Sequence, residues 1–363
     1  MHKTSASPLA LAYGALIVYA SLYPFSPWRD QGLPPWAFLL APLQRYWTGF
    51  DVTINVLGYM PLGALLALSV LRARARHPVL FPLLLGMLLS LAMETLQSYL
   101  PERVPSREDL LFNTVGAGLG ACATLLLDRM GLVRRWSRLR ARWFVEQSRG
   151  GMVLLATWPL ALMFPASVPF GLGQVLVRVH DALALELSET PWREWFSLHD
   201  IGLRPLAPGM ESLCVCLGLL IPCLLGYCVV RSLHRRVPLV LLTLAVGVAA
   251  TALSAALSWG PSHAWAWLGM PALLGMLLAL FLALLLAWIP WRAGAALLLL
   301  ALGVYLGLLN QAPTSPYFAQ TLQAWEQGRF IRFHGLAQWL GWLWPYATLL
   351  YVVSQIGRAE SKN

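Results

Sequence analysis

Ten apolar stretches of roughly 17 to 25 residues, divided by short polar loops, constrain this chain more than any motif does. A helix of that length rises about 30 Å at 1.5 Å per residue, which matches the hydrocarbon core of a bilayer. Inside lipid every backbone N–H and C=O must find a partner within the protein, and a single apolar segment achieves this only as a helix. The spans are expected at 9–24, 51–71, 79–99, 109–127, 151–170, 211–230, 237–257, 264–288, 293–309 and 335–356. Composition agrees: 58% of residues are hydrophobic, 12% are charged and the mean hydropathy is +0.63. The fold class expected is all-α, a polytopic transmembrane helical bundle of about ten helices.

The loops set an expected orientation. Arg72, Arg74 and Arg76 with His77, the run from Arg129 to Arg149, the run from Arg231 to Arg236, and Arg292 make every second loop basic. The positive-inside rule places these loops and both termini in the cytoplasm. The alternate loops, 25–50, 100–108, 171–210, 258–263 and 310–334, mix signs or lean acidic, as Asp181, Glu186, Glu189, Glu194 and Asp200 show. The net charge of +10 therefore belongs to topology and to anionic headgroups, and nucleic acid is not an expected partner. Tyr23, Trp28, Tyr46, Trp47, Trp288, Trp291 and Trp344 fall near span ends, where interfacial aromatic belts form. The first stretch lacks a small-residue cleavage site and reads as a retained helix. All five cysteines lie in apolar stretches without disulfide or zinc spacing.

Two further segments are amphipathic. In 129–149, Leu132, Trp136, Leu139 and Trp143 recur at helical spacing between arginines, as in a helix lying on the cytoplasmic leaflet. In 317–333, Phe318, Leu322, Trp325, Phe330 and Phe333 alternate with Gln320, Gln323, Glu326 and Arg329, predicting a surface helix outside. Pro61, the arginine loop and Pro78 are echoed by Pro222, Arg231–Arg236 and Pro238, the pattern of two like-oriented four-helix units.

The polar residues within the spans gather at one side once this topology is imposed. Asp51 and Asn55 open the second span, Glu94 and Gln97 stand near the end of the third, Arg103 and Arg107 occupy the outer loop, and Asp109 and Asn113 open the fourth. Spacings of three and four put each pair on one helical face. Asp51 and Asp109 also suit helix starts, where a carboxylate meets free N–H groups. Glu94 is harder to accommodate, because it lies about 10 Å inside an apolar helix and a charge there needs a partner. Arg103 is its expected counter-ion.

Several chemistries fit these residues. Glu94 and Asp109 are the candidate catalytic carboxylates for acid–base work, with an arginine gripping phosphate or carboxylate. The same groups serve equally for binding without reaction. Asp51, Glu94 and Asp109 have no recognisable metal-ligand spacing, and neither metal nor cofactor is expected. His180, Asp181, His199 and Asp200 share one outer loop and read as solvated residues. Gly116-Ala117-Gly118-Leu119-Gly120 reads as close helix packing rather than a phosphate loop.

The run Asp51-x-x-x-Asn55-x-x-Gly58-x-x-Pro61-x-Gly63, then Glu94-x-x-Gln97, Arg103 and Asp109-x-x-x-Asn113-x-x-Gly116-Ala117-x-x-Gly120, resembles the VanZ-like family of bacterial membrane proteins. The resemblance covers about residues 9–128 and implies a four-helix membrane domain of the cell envelope, associated in the founding member with lowered sensitivity to teicoplanin. It implies residence in the bacterial inner membrane and no established reaction. The expected organisation is this domain at 9–128, the basic segment at 129–149, a second four-helix unit at 150–290 and a C-terminal pair at 291–357. The expected function is an outward pocket on Asp51, Asn55, Glu94, Gln97, Arg103, Arg107, Asp109 and Asn113 that binds a lipid-linked or cell-wall-derived envelope component or a glycopeptide-type molecule, with membrane lipids as the other expected partners. The alternatives are an enzyme acting on a lipid-linked envelope substrate by acid–base or metal-assisted chemistry and a transporter, the last suggested by Pro61, Pro82 and Pro222 within spans.

Overall fold

The computed structural model describes residues 6–23, 25–32, 34–42, 49–145, 148–164, 166–187, 189–190, 206–312 and 331–360. Among these residues there is no strand; an isolated antiparallel bridge joins Phe144 to Val230. Among the described residues seven helices are long and apolar enough to cross a membrane. The chain divides into two compact units, residues 1–139 and 140–363.

The first unit holds α1 (Ala6–Leu22), the short α2 (Ala37–Leu40), α3 (Gly49–Arg72), α4 (Leu80–Gln97) and α5 (Arg107–Arg129). Side-chain bonds give the directions. Tyr13 bonds the Gly58 carbonyl and Ser7 bonds Ser69, so α1 and α3 are antiparallel. Asn113 bonds Ser90 while Glu94 bonds Ser106, so α4 and α5 are antiparallel too. Thr124 bonds the Ala64 carbonyl, and Gly116 and Gly120 abut Val56 and Met60, so α3 and α5 run parallel. Glycine is required at this contact. A Cβ on Gly120 would stand 1.9 Å from the Met60 carbonyl oxygen, and one on Gly63 equally close to that of Ala117. This is the close helix packing expected of the glycine run.

On α5 the buried face is small or polar, with Asn113, Gly116, Ala117, Gly120 and Thr124, while Leu111, Val115, Leu119 and Leu126 are exposed. Small residues inward and large apolar ones outward suit a helix whose outer solvent is lipid. After α5 comes α6 (Leu132–Trp143), none of whose residues is buried; Leu132, Trp136 and Leu139 expose the expected apolar face.

The second unit contains α7 (Arg149–Ala161), α8 (Leu176–Glu186), α9 (Pro208–Val229), α10 (Arg236–Trp259), α11 (Met270–Leu285), α12 (Trp291–Leu309) and α13 (Ile331–Glu360). Every residue from Cys214 to Val229 is buried, so α9, apolar on all sides, is the central helix. It packs on α11 and α12 and also meets α7 and α10. Gly275 of α11 abuts Ser212 and Val215, and the Tyr227 hydroxyl donates to the Ala283 carbonyl at 2.5 Å, so α9 and α11 are parallel. The α3–α5 pair in the first unit has the same relation. The cysteines are unbridged.

Arg236 is buried at the start of α10 without a carboxylate among its hydrogen-bond partners. It donates to the carbonyls of Ala287 at 2.9 Å, Ile289 at 2.8 Å and Tyr227 at 3.0 Å, and lies over the Tyr227 ring. Carbonyls left over at helix C-termini carry partial negative charge, which is how the guanidinium is neutralised.

Three expectations need correction. The fifth helix was expected over 151–170 but ends at Ala161, and residues 162–164 and 166–175 are irregular although Phe164, Val168, Phe170 and Leu172 are buried. Pro165 and Pro169 lack the N–H that continued helix needs. Such backbone persists in a membrane protein only where protein groups satisfy it. Here Tyr305 donates to the Phe170 carbonyl at 2.6 Å and accepts from Leu172 N, while Asn310 accepts from Val175 N and Leu176 N. Second, the loop 171–210 holds α8, so His180 and Asp181 belong to a helix. Third, the span expected at 264–288 starts as α-helix only at Met270. His199, Asp200 and Glu194, and the surface helix expected at 317–333 as far as residue 330, lie outside the described residues.

Candidate functional site

The end of the first unit where α1 and α4 finish and α3 and α5 begin collects most of the polar side chains of that unit. Its geometry starts with Ser106, the N-cap of α5. The Ser106 hydroxyl accepts from Glu108 N at 3.1 Å and Asp109 N at 3.2 Å and so satisfies two of the helix's orphan donors. The cap is thus Ser106 and not Asp109. That leaves the Asp109 carboxylate for α3, where it accepts from the Asn55 amide at 2.7 Å.

Glu94 reaches the same helix start from α4. It is 3% exposed, and its Oε2 accepts from the Ser106 backbone N–H at 2.8 Å. The positive end of the α5 dipole and a charge-assisted hydrogen bond together lower the cost of a buried carboxylate. One turn deeper, the Asn113 amide nitrogen donates to Ser90 Oγ at 3.0 Å, which ties α5 to α4 again. Tyr59, a turn below Asn55 on α3, is 5% exposed and lies within electrostatic reach of Glu94 and Asp109. Its hydroxyl is beside Ser90, yet it has no hydrogen bond of good geometry among the described residues, and neither has the Asn113 Oδ1. A buried donor and a buried acceptor are thus unspent within one cluster, each at a cost of about 1–3 kcal/mol.

The remaining expected site residues divide. Gln97, although on the same helix as Glu94, donates to the Ser21 carbonyl at 2.9 Å and ties α4 to α1. Arg103 donates to the Tyr23 carbonyl just past the end of α1. Arg107 stands at the rim, 3.9 Å from Glu108 and about a third exposed. Asp51 lies in the first turns of α3, but its side chain is outside the described residues. The structure therefore joins Asn55, Glu94, Asp109 and Asn113 and assigns Gln97 and Arg103 to the junction with α1. Among the described residues no group of three or more His, Cys, Asp or Glu side chains comes together as a metal site.

Sequence reasoning missed Tyr59, Ser90 and Ser106. Each carried a signal. Asp51, Asn55 and Tyr59 recur at steps of four, Ser90 stands four before Glu94, and Ser106-x-x-Asp109 is a helix-start pattern. The segment after α1 closes over the same end of α4, with Arg29 N donating to the Tyr99 carbonyl at 2.9 Å and Gln31 to that of Ser98 at 2.8 Å.

As chemistry, the cluster offers two carboxylates in different settings, one buried at a helix start and one paired with an amide, with a tyrosine in electrostatic reach of both and arginine at the rim. That set suits binding of a polar group with donors and acceptors, or proton transfer. No curated protein and no solved structure matches the chain. Residues 9–128, running from within α1 to the last turn of α5, match the family model described as VanZ/LLP1, so the helices that build this polar end lie in the part of the chain that is similar to that family.

Proposed function

We propose that the polar end of the VanZ-like unit is the outward-facing binding site of a multi-pass bacterial inner-membrane protein, and that its ligand is a lipid-linked or cell-wall-derived component of the envelope. The observation that carries this reading is the pair of unspent buried groups, Tyr59 Oη and Asn113 Oδ1, beside Glu94 and Asp109. A polar partner from outside the chain would satisfy both atoms next to the two carboxylates. Arg107 at the rim supplies positive charge for a phosphate or carboxylate of that partner, and the basic loops at the other ends of the helices support the outward orientation.

Tyr59→Phe tests the proposal. The hydroxyl has no partner of good geometry, so its loss should leave unfolding stability unchanged or slightly raised, yet remove the ability to restore the envelope phenotype of a deletion strain. Full complementation by Tyr59→Phe, Glu94→Gln and a Glu94→Gln/Arg103→Leu double variant, all at normal protein level, would refute it. The two differently placed carboxylates favour a second reading, acid–base chemistry on a membrane lipid. Lipid profiling separates the two: a modified lipid absent from the deletion strain and not restored by Glu94→Gln belongs to an enzyme.

A further inference from the structure

The irregular segment that ends α7 lines a cavity of ≈ 390 Å³ in the second unit, with walls completed by the first turn of α9, the later turns of α10 and the turn before α11. This volume lies within the roughly 300–1,000 Å³ of small-ligand pockets. Most of the lining is apolar or aromatic, including Phe164, Phe170 and Trp267, the last two edge-to-face at 5.6 Å. Its polar side chains are Ser167, Glu211, Thr251 and Ser254.

Their hydrogen-bond roles are decided by their neighbours. Gln174 donates its amide nitrogen to the Ala312 carbonyl at 2.7 Å, which turns its Oε1 toward Ser167, and the Ser167 hydroxyl must donate to it at 2.7 Å. The Ser254 hydroxyl donates to the Met163 carbonyl at 2.9 Å. Each hydroxyl has one proton, so both offer the cavity only lone pairs. Thr251 Oγ1 is buried with no partner among the described residues, and the Glu211 side chain has neither a hydrogen bond nor an ion pair among them. Among the described residues no Lys, Arg or His lines the cavity. Acceptors, one carboxylate and aromatic rings complement a group that is positive and rich in N–H donors.

We propose that this cavity is a binding site for a protonated amine carried on an apolar body. The aminoalkyl headgroup of a membrane lipid and a free alkylamine share this chemistry. The site is independent of the one on the VanZ-like unit.

The test uses the full-length protein in a non-ionic detergent, titrated calorimetrically with n-hexylammonium and, as its anionic counterpart, hexanoate. Saturable binding of hexylammonium and none of hexanoate is expected. Glu211→Gln should weaken hexylammonium binding about tenfold and Thr251→Val about threefold. Thr251→Val removes an unpaired buried hydroxyl, so it should not lower stability and remains informative if Glu211→Gln fails to fold. Native mass spectrometry from nanodiscs then identifies the source. Selective retention of phosphatidylethanolamine over phosphatidylglycerol marks the lipid, whereas hexylammonium binding without it marks a soluble amine. Equal binding of hexanoate, no hexylammonium binding, or unchanged binding in both variants overturns the proposal.

Discussion

Gly120→Ala offers the sharpest check on how the VanZ-like unit is held together. The added methyl would lie 1.9 Å from the Met60 carbonyl oxygen and 3.0 Å from Ala64 N, both backbone atoms of α3. Ordinary contact begins at 3.4 Å, so α3 and α5 must separate by about 1.5 Å along that line. A gap of 0.5–1 Å already forfeits roughly a quarter to a half of each contact's dispersion energy, and overpacking typically costs about 1–3 kcal/mol. A rigid backbone obstacle puts this site near 3 kcal/mol, against a helix-propensity gain of about 1 kcal/mol for Ala over Gly. The expected net loss is about 2 kcal/mol. Gly118→Ala is the control on the same helix, because its nearest obstacle is the flexible end of Leu83 at 3.1 Å. That variant should match the wild type or exceed it slightly. Unfolding by SDS titration in mixed micelles, followed by far-ultraviolet circular dichroism, measures both. A Gly120→Ala protein as stable as Gly118→Ala would show that α3 and α5 do not meet backbone to backbone, and the Asn55–Asp109 bond that depends on this approach would go with it.

The remaining predictions concern single groups. Arg236→Leu strands the carbonyls of Tyr227, Ala287 and Ile289 and should cost about 3–5 kcal/mol in the same titration, with Arg236→Lys intermediate; wild-type stability in the Leu variant would contradict the role given to the guanidinium. Ser106→Ala should lower stability by about 1 kcal/mol through loss of the α5 cap while Ser106→Thr retains most of it, and equal melting of all three proteins would remove the cap from the account. A peptide of residues 129–145 should become helical on phosphatidylglycerol vesicles and not on phosphatidylcholine. Arg134→Glu with Arg138→Glu should weaken that binding by at least about tenfold, whereas binding indifferent to lipid charge would contradict the surface role of α6.

How much of this was legible beforehand depends on the scale of the signal. Spans of twenty apolar residues announce themselves, and helices appear in all ten expected stretches because lipid leaves the backbone no other choice. The fifth was misread for a physical reason: residues 162–170 are as apolar as a spanning helix, and hydropathy does not distinguish burial in lipid from burial in protein. The hydroxyl of Tyr305 and the amide of Asn310, some 135 positions away, stabilise that irregular backbone, and no local pattern reports them. In the candidate site, periodicity brought Asn55, Glu94, Asp109 and Asn113 to one end. It did not reveal that Gln97, three residues from Glu94, turns to α1. Spacings of three and of four share a face only within about 60°, enough for adjacent side chains to meet different neighbours.

The buried polar groups of this protein separate by whether their hydrogen-bonding capacity is used. Asn310 spends all of its capacity on backbone left over at a helix end and in the broken segment, whereas Arg236 gives three N–H groups to carbonyls and keeps a buried Nε without a partner among the described residues. Tyr59, Asn113 and Thr251 each keep a buried atom without a partner among the described residues, and each lies beside a carboxylate or in a cavity that has one. Isolated unpaired hydroxyls, such as those of Ser148 and Ser258, show that absence of a partner is not sufficient by itself. The coincidence with Glu94 and Asp109 in one unit, and with Glu211 in the other, is what the two binding-site proposals rest on. For Glu94 the protein supplies part of the compensation for a charge in an apolar span, the Ser106 N–H at 2.8 Å at the start of α5.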